Sequence, residues 1–377
     1  MDRPRVLCVF GTRPEAIKMA PVVRALAAPS SGLEPFVCVT DQHREMLEPV
    51  LDFFDLHPDH RLGVMRPNQS PSDIAARVLQ RLPTVIDVVR PSVVLVQGDT
   101  TTTMAAALAA FHARVPVGHV EAGLRTHRLD SPFPEEANRR LTTTLARWHF
   151  APTAQARDNL LDERVPPSRI LVTGNPVVDA LLWAVERLEG RSTGVRLPIT
   201  PGRRLVLVTA HRRESFGPPF VELCRALREL VQRNPDIELA YPVHLNPQVQ
   251  TVARSILARC PRIHLLPPVG YPQLVDLLHR CHLVLTDSGG IQEEAPSLGK
   301  PVLVLRDVTE RTEGIEAGTA RLVGTSRRRI LDETERLLRD PSAYEAMARA
   351  HNPYGDGRAS ARIVGVLRQS LAAEHAA

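Results

Sequence analysis

The sequence predicts an α/β fold with two doubly wound parallel sheets. Short apolar segments alternate with amphipathic helical ones from end to end, the pattern of strands joined by crossover helices. The 377 residues exceed the roughly 250–300 at which a single core stops growing. The alternation is interrupted by a polar stretch over 190–204 that contains Gly190, Gly194, Pro198, Pro201 and Gly202, and then it restarts.

In the first half the expected strands are 6–10, 36–40, 93–96, 117–120, 149–151 and 170–173. The run 6–10 has five apolar residues before Gly11, too few for a signal-peptide core, so it reads as a first strand. Helices are expected at 14–27, 44–54 and 101–113. A further stretch over 72–89 should break or kink at Pro83, which lacks an amide donor and crowds the preceding turn. In the second half the strands are 205–209, 237–241, 263–266, 283–286 and 301–305. Helices at 219–232, 247–258, 271–280, 292–298 and 328–338 separate them. The expected domains are 1–172 and 173–358, with a last helix in 359–377 packing back on the first.

Composition narrows the function. Hydrophobic residues at 43% and charged residues at 24% are ordinary for a globular chain. No apolar run approaches the roughly 18 residues of a membrane helix, so a cytoplasmic protein without membrane contact is expected. Net charge is +5, but no basic run interleaves with aromatics, and aromatics at 4% offer few stacking platforms for a nucleic acid. The surplus suits a small anionic substrate instead. The cysteines Cys8, Cys38, Cys224, Cys260 and Cys281 form no C-x-x-C pair and read as reduced thiols. Histidine spacing calls for no metal.

Doubly wound sheets bind ligands beyond the carboxyl ends of their strands, and the distinctive residues lie there. After the first strand, Thr12 and Glu15 form a capping-box pattern at a helix start, which would offer free amides to an anion beside Arg13 and Lys18. Neither a P-loop nor a G-x-G-x-x-G dinucleotide fingerprint is present. Gln97-Gly98-Asp99-Thr100 ends another strand, where Asp-Thr is equally a helix cap. His119-Val120-Glu121-Ala122-Gly123-Leu124-Arg125 ends a third. Pro134-Glu135-Glu136-Ala137-Asn138-Arg139 opens a helix, with Glu135 and Arg139 spaced i, i+4 for an ion pair. Asp99, Glu121 and Glu135 thus converge on one rim, as acid/base chemistry requires. In the second half, His211-Arg212-Arg213-Glu214 supplies a titrating side chain for a phosphate. Thr286-Asp287-Ser288-Gly289-Gly290 joins a strand to a helix and lets backbone approach a pyrophosphate. Its spacing is not that of the G-x-S-x-G serine-hydrolase elbow.

Taken in this order, through to His351-Asn352-Pro353-Tyr354-Gly355, these segments resemble the non-hydrolysing bacterial UDP-N-acetylglucosamine 2-epimerases over essentially the whole chain. The resemblance implies two Rossmann-like domains facing a central cleft, in the manner of GT-B glycosyltransferases. It implies interconversion of UDP-GlcNAc and UDP-ManNAc with no cofactor, by a cytoplasmic homodimer serving cell-surface polysaccharide synthesis. By the same resemblance the catalytic residues are Asp99, Glu121, Glu135 and His211. Substrate contacts fall on Arg13, Lys18, Arg139, Ser288, Gly289, Gly290, Glu294 and Arg311.

The chemistry agrees. A sugar C2–H is not acidic, and an oxidise-then-reduce route needs a nicotinamide site that the motifs do not supply. Expelling UDP from C1 builds positive charge that acidifies C2–H, and a carboxylate then removes the proton to leave a glycal. The chain departs from the family at a second-substrate activator patch. Gln42 and His43 are kept, but Glu45 and Asn68 stand where Gln and Arg are wanted, so weak or absent substrate activation is expected. Thr312 follows Arg311 where proline is the family pattern. The rival readings are a hydrolysing epimerase, a GT-B glycosyltransferase and a nucleotide-sugar sensor.

Overall fold

The computed structural model describes residues 3–42, 44–195, 197, 199–212 and 215–376. The chain divides into two compact units, 1–180 with 354–377, and 181–353. One boundary lies inside a helix whose start is bonded into the first unit, through Asn175 just before it and Asp179 within it.

The first unit runs β1 (Arg5–Phe10), α1 (Arg13–Ala27), β2 (Glu34–Val39), α2 (Arg44–Phe53), β3 (His60–Arg61), α3 (Pro71–Val89) and β4 (Val93–Gln97). It continues through α4 (Thr101–His112), β5 (Val117–Val120), α5 (Glu135–Leu145), β6 (Trp148–Ala151), α6 (Ala154–Asp162), β7 (Ile170–Val172) and the start of α7 (Pro176–Leu188), which passes into the second unit after Ala180. All pairings are parallel, in the order β3-β2-β1-β4-β5-β6-β7. The central strands are buried on both faces, which is why β4 reads Val-Val-Leu-Val without polar alternation. On one face Leu7, Val9, Val94 and Val96 meet α3 and the alanine-rich α4, whose small side chains let α3 lie close. The helix expected to break or kink at Pro83 is unbroken across it. Leu82, Val85 and Ile86 are buried around that point, and their packing outweighs the missing hydrogen bond.

The second unit runs β8 (Arg204–Thr209), α8 (Pro218–Arg233), β9 (Ile237–Pro242), α9 (Pro247–Leu257), β10 (Ile263–Leu266), α10 (Tyr271–Arg280), β11 (Leu283–Thr286) and α11 (Gly289–Glu294). It ends with β12 (Val302–Val304), α12 (Thr312–Glu316), β13 (Ala320–Leu322), α13 (Arg327–Arg339) and α14 (Pro341–Ala348). Its parallel sheet has the order β10-β9-β8-β11-β12-β13. Alternation along β8 builds two cores: Val206 and Val208 meet α8, while Leu205 and Leu207 face the opposite layer with Leu277 and Leu278 of α10. The helix expected at 292–298 begins earlier, so Gly289 and Gly290 form its first turn, and 295–298 tightens into a 3₁₀ turn.

The last helix, α15 (Ala359–Ala376), belongs to the first unit and packs against α1. Asp179 accepts from the amides of Ala359 (3.2 Å) and Ser360 (2.8 Å), capping its start. Strand order reverses between β1 and β4 in one sheet and between β8 and β11 in the other. Those are the positions where doubly wound sheets open a ligand crevice.

The loop after β5 has one backbone position closed to any side chain. Gly123 has φ +94°, and a Cβ there would lie 2.1 Å from the carbonyl oxygen of Ala156. Gly123→Ala is expected to cost more than about 3 kcal/mol, since backbone must move to admit it. Urea unfolding followed by circular dichroism checks this, and a midpoint equal to that of the parent chain would contradict it.

Candidate active site

The first unit's site begins with one carboxylate. Glu15 is buried and accepts from the amides of Gly11 (2.9 Å) and Thr12 (2.7 Å). It also receives the hydroxyl of Thr100 (2.6 Å) and, shared with the Gln97 carbonyl, that of Thr103 (3.0 Å). The loops after β1 and β4 are thereby joined. The capping-box pattern expected of Thr12 and Glu15 is present, and Glu15 takes the Gly11 amide as well. Arg13 remains as a half-buried cation at the first position of α1. Gln42, expected as a remnant of an activator patch, accepts from the Thr102 hydroxyl at 2.9 Å, while His43 lies outside the described residues.

Glu121 follows β5 in a left-handed conformation, φ +63°, which a glutamate keeps only when its surroundings enforce it. They do. Lys18 forms an ion pair with Oε1, which also accepts from Asn175 at 2.9 Å, and Gln97 donates to Oε2. The side chain is 5% exposed. Beneath it His119, fully buried, holds the Gly98 carbonyl at 2.7 Å. Burial pushes that imidazole down to about 3, so it stays neutral across the working pH range.

Asp99 stands next to this pair. Its carbonyl accepts from Asn138 (3.0 Å), and its carboxylate pairs with Arg139 (2.6 Å). Burial pushes the Asp99 carboxyl up; Arg139 and Lys18 oppose that, and the charges of Glu121 and Glu135 add to it. The side chain keeps 29% exposure, so solvent moderates these effects. The expected Glu135–Arg139 pair is replaced. Arg139 bonds Asp99 and, one turn back, the fully buried Glu136 at 3.3 Å. The i, i+3 partner is the one folded under the guanidinium, where Glu136 also receives the Thr126 amide at 3.0 Å. Glu135 is left with a buried Oε2 that has no partner among the described residues.

The second unit repeats the device with Asp287. Its Oδ2 accepts from the amides of His211 (2.6 Å) and Arg212 (2.7 Å), tying the loop after β8 to that after β11. His211 Nδ1 lies 3.5 Å from the same carboxylate, and the ring stacks on His244 at 5.2 Å. Burial lowers His211 below its ordinary range, with His244 and Arg212 reinforcing this and Asp287 pulling upward. Arg213 and Glu214 of this motif lie outside the described residues.

Ser288 is the cap residue of α11. Gly289 lies under Arg311, whose Nε a Cβ there would approach to 3.4 Å. Arg311 pairs with Glu293 (2.8 Å) and Glu310 (3.1 Å). Glu294, expected to meet a ligand hydroxyl, is buried one turn further on. Thr312, the departure from proline, opens α12 with Arg311 as its cap residue. Among the described residues no group of three or more His, Cys, Asp or Glu is placed to hold a metal ion. Among the described residues no helix is long and apolar enough to cross a membrane.

Sequence reasoning missed the residues that hold the others in place. Asn175, after Gly174 at the end of β7, was legible as a polar residue at a strand's carboxyl end. Asp287 was quoted only as part of a phosphate turn. Glu293 and His244 carried no local signal, since their partners are far along the chain.

Comparison with known proteins follows the same lines. A family model described as UDP-N-acetylglucosamine 2-epimerase matches residues 25–368. The UDP-N-acetylglucosamine 2-epimerase of Escherichia coli O157:H7 is 54% identical over 372 residues, 97% of this chain and 99% of its own length. The crystal structure of UDP-GlcNAc 2-epimerase from Neisseria meningitidis bound to UDP-GlcNAc matches with TM-score 0.88 at 47% identity, covering 97% of this chain and 100% of that one. The glycotransferase of kitacinnamycin, 16% identical with TM-score 0.67 over 98% of this chain and 99% of its own, shares the fold alone.

His211 and Asp287 generate a test with a defined sign. The Asp287 charge raises the His211 pKa against burial, so Asp287→Asn is expected to move His211 titration to still lower pH. An NMR titration of the His211 ring proton reads this directly. An unchanged titration would show that Asp287 acts on His211 through the backbone only.

Proposed function

Because this chain belongs to the UDP-N-acetylglucosamine 2-epimerase family, we propose that it inverts C2 of UDP-N-acetylglucosamine to give UDP-N-acetylmannosamine, reversibly, by eliminating and re-adding UDP. The enzyme is an isomerase on a GT-B-like pair of doubly wound units. The observation that carries the mechanism is the grouping at the carboxyl edge of the first sheet, where Lys18 pairs with Glu121 and the Asp99 carboxyl feels the charges of Lys18, Glu121 and Glu135.

In the forward direction the C1–O bond breaks and its electron pair leaves with UDP. Positive charge gathers at C1, a carboxylate removes the C2 proton, and the C1–C2 double bond of a glycal forms. Protonation from the opposite face and return of UDP to C1 complete the inversion.

The three carboxylates divide this work by their partners. Glu121 is saturated by Lys18, Asn175 and Gln97 and acts as a fixed negative charge facing the developing cation. Asp99, raised by burial, and Glu135, with an oxygen unclaimed among the described residues, move the protons. Arg139 acts through Asp99 rather than on the diphosphate. In the second unit Ser288, Gly289, Gly290, Glu294 and Arg311 hold the nucleoside diphosphate, and in the first Arg13 and Lys18 are the cations of the ligand edge. His211 is neutral when the site is free; an approaching diphosphate raises its pKa, so it becomes a proton and charge donor as UDP departs.

The family resemblance also supports a cytoplasmic homodimer that feeds UDP-N-acetylmannosamine to cell-surface polysaccharide synthesis. Glu45 and Asn68, in place of the glutamine and arginine of an activator patch, support weak or absent substrate activation. Rate curves in UDP-N-acetylglucosamine are therefore expected to be hyperbolic, and sigmoidal curves would overturn that point.

Proton NMR with UDP-N-acetylglucosamine in D₂O tests the whole reading. UDP-N-acetylmannosamine bearing deuterium at C2, with little free UDP, is expected. Stoichiometric UDP and free N-acetylmannosamine would identify a hydrolysing enzyme instead. Asp99→Asn and Glu135→Gln should each lower kcat by about 10²–10⁴-fold, and an undiminished rate in either removes that residue from the proton path.

A further inference from the structure

The amino edge of the second sheet, opposite to Asp287 and His211 within the same unit, carries a cavity of about 470 Å³. Arg204 opens β8, His282 precedes β11, Lys300 precedes β12, and Arg280 ends α10. These side chains line the cavity together with Arg203 and Tyr344, and no carboxylate is among the described residues lining it.

The arginines are anchored from behind. Arg203 bonds Glu238 (2.9 Å), Arg280 bonds Asp276 (3.2 Å), and Arg204 bonds the Leu338 carbonyl (2.7 Å) and Asp236. Each guanidinium has further N–H groups beyond these contacts. Lys300 is half-buried, and its ammonium has no acceptor among the described residues. His282 is fixed from two sides: Tyr344 stacks on it at 4.2 Å and 7°, and the tyrosine hydroxyl holds its carbonyl at 3.0 Å. The ring's Nε2 is buried and unpartnered among the described residues. Burial, with Arg204 and Lys300 adding repulsion, pushes the imidazole down to about 4, so it is neutral at pH 7.

We propose that this cavity is a second binding site for a small phosphorylated metabolite, with Lys300 and the three arginines holding phosphate oxygens and His282 in the wall beside them. Three guanidiniums with N–H groups to spare and one ammonium offer the several donors that the oxygens of a phosphate need, more than a single carboxylate would use. The volume has room for a sugar or nucleoside attached to the phosphate. None of these residues belongs to the machinery assigned to epimerisation, so the site offers a means of adjusting the enzyme by a metabolite other than its substrate.

Inorganic pyrophosphate is the probe. It is titrated at constant ionic strength into the full-length protein carrying ¹³C-labelled histidine, with the His282 signal assigned from His282→Gln. A saturable shift of that signal is expected. Its affinity should weaken about tenfold in Lys300→Met and in Arg280→Gln, the loss expected for one charge-assisted contact. The kcat/KM of both variants without pyrophosphate should stay within twofold of the parent. A shift confined to His211, no saturable shift at all, or equal affinity in the variants overturns the proposal. Should Lys300→Met fail to fold by circular dichroism, Arg280→Gln decides alone.

Discussion

Everything at the first unit's ligand edge depends on the Glu15 carboxylate. A doubly wound sheet opens where its strand order reverses, and there the loops after β1 and β4 diverge with backbone amides exposed. Glu15 binds the amides of one loop and the hydroxyls of the other. Two segments 85 residues apart are held in one register, and Lys18, one turn further along α1, is aimed at Glu121 as a result. A charged acceptor suits this task because its hydrogen bonds are roughly twice as strong as neutral ones.

The second unit solves the same problem from the other side. There the carboxylate, Asp287, follows the strand across the reversal, β11, and reaches back to the amides after β8. In each unit a buried acid closes the switch point and fixes the side chain next to it, Lys18 in one and His211 in the other. The chemistry differs because of what surrounds the acid. The first unit gathers carboxylates around one lysine, whereas the second surrounds a glycine-rich helix start with arginines.

The order and type of the central elements were legible because buried parallel strands are apolar runs that leave little ambiguity. The strands at 60–61 and 320–322 were not. They are short and partly polar, and they take their structure from the neighbour they pair with. Pro83 misled for a related reason, since a local rule lost to side chains packed on either side of it. At the site, the sequence showed which residues are unusual, Asp99, Glu121 and His211 among them, but not who holds them. Glu121 is fixed by Gln97 and Asn175, 24 and 54 residues away. Arg139 chose Glu136 over Glu135 because burial, which spacing alone does not encode, favoured the turn facing inward.

Lysine is almost absent from this chain, with Lys18 and Lys300 the sole examples among 47 basic residues. The other 45 basic residues are arginines, whose guanidinium is a different group from a primary amine. One lysine is packed against the acid cluster of the first unit, and the other borders the cationic cavity of the second. Amine-directed chemistry therefore meets a nearly blank surface. Isotope-enriched methyl groups placed on the amines by reductive alkylation would install two side-chain reporters, one in each unit, beside the α-amine alone.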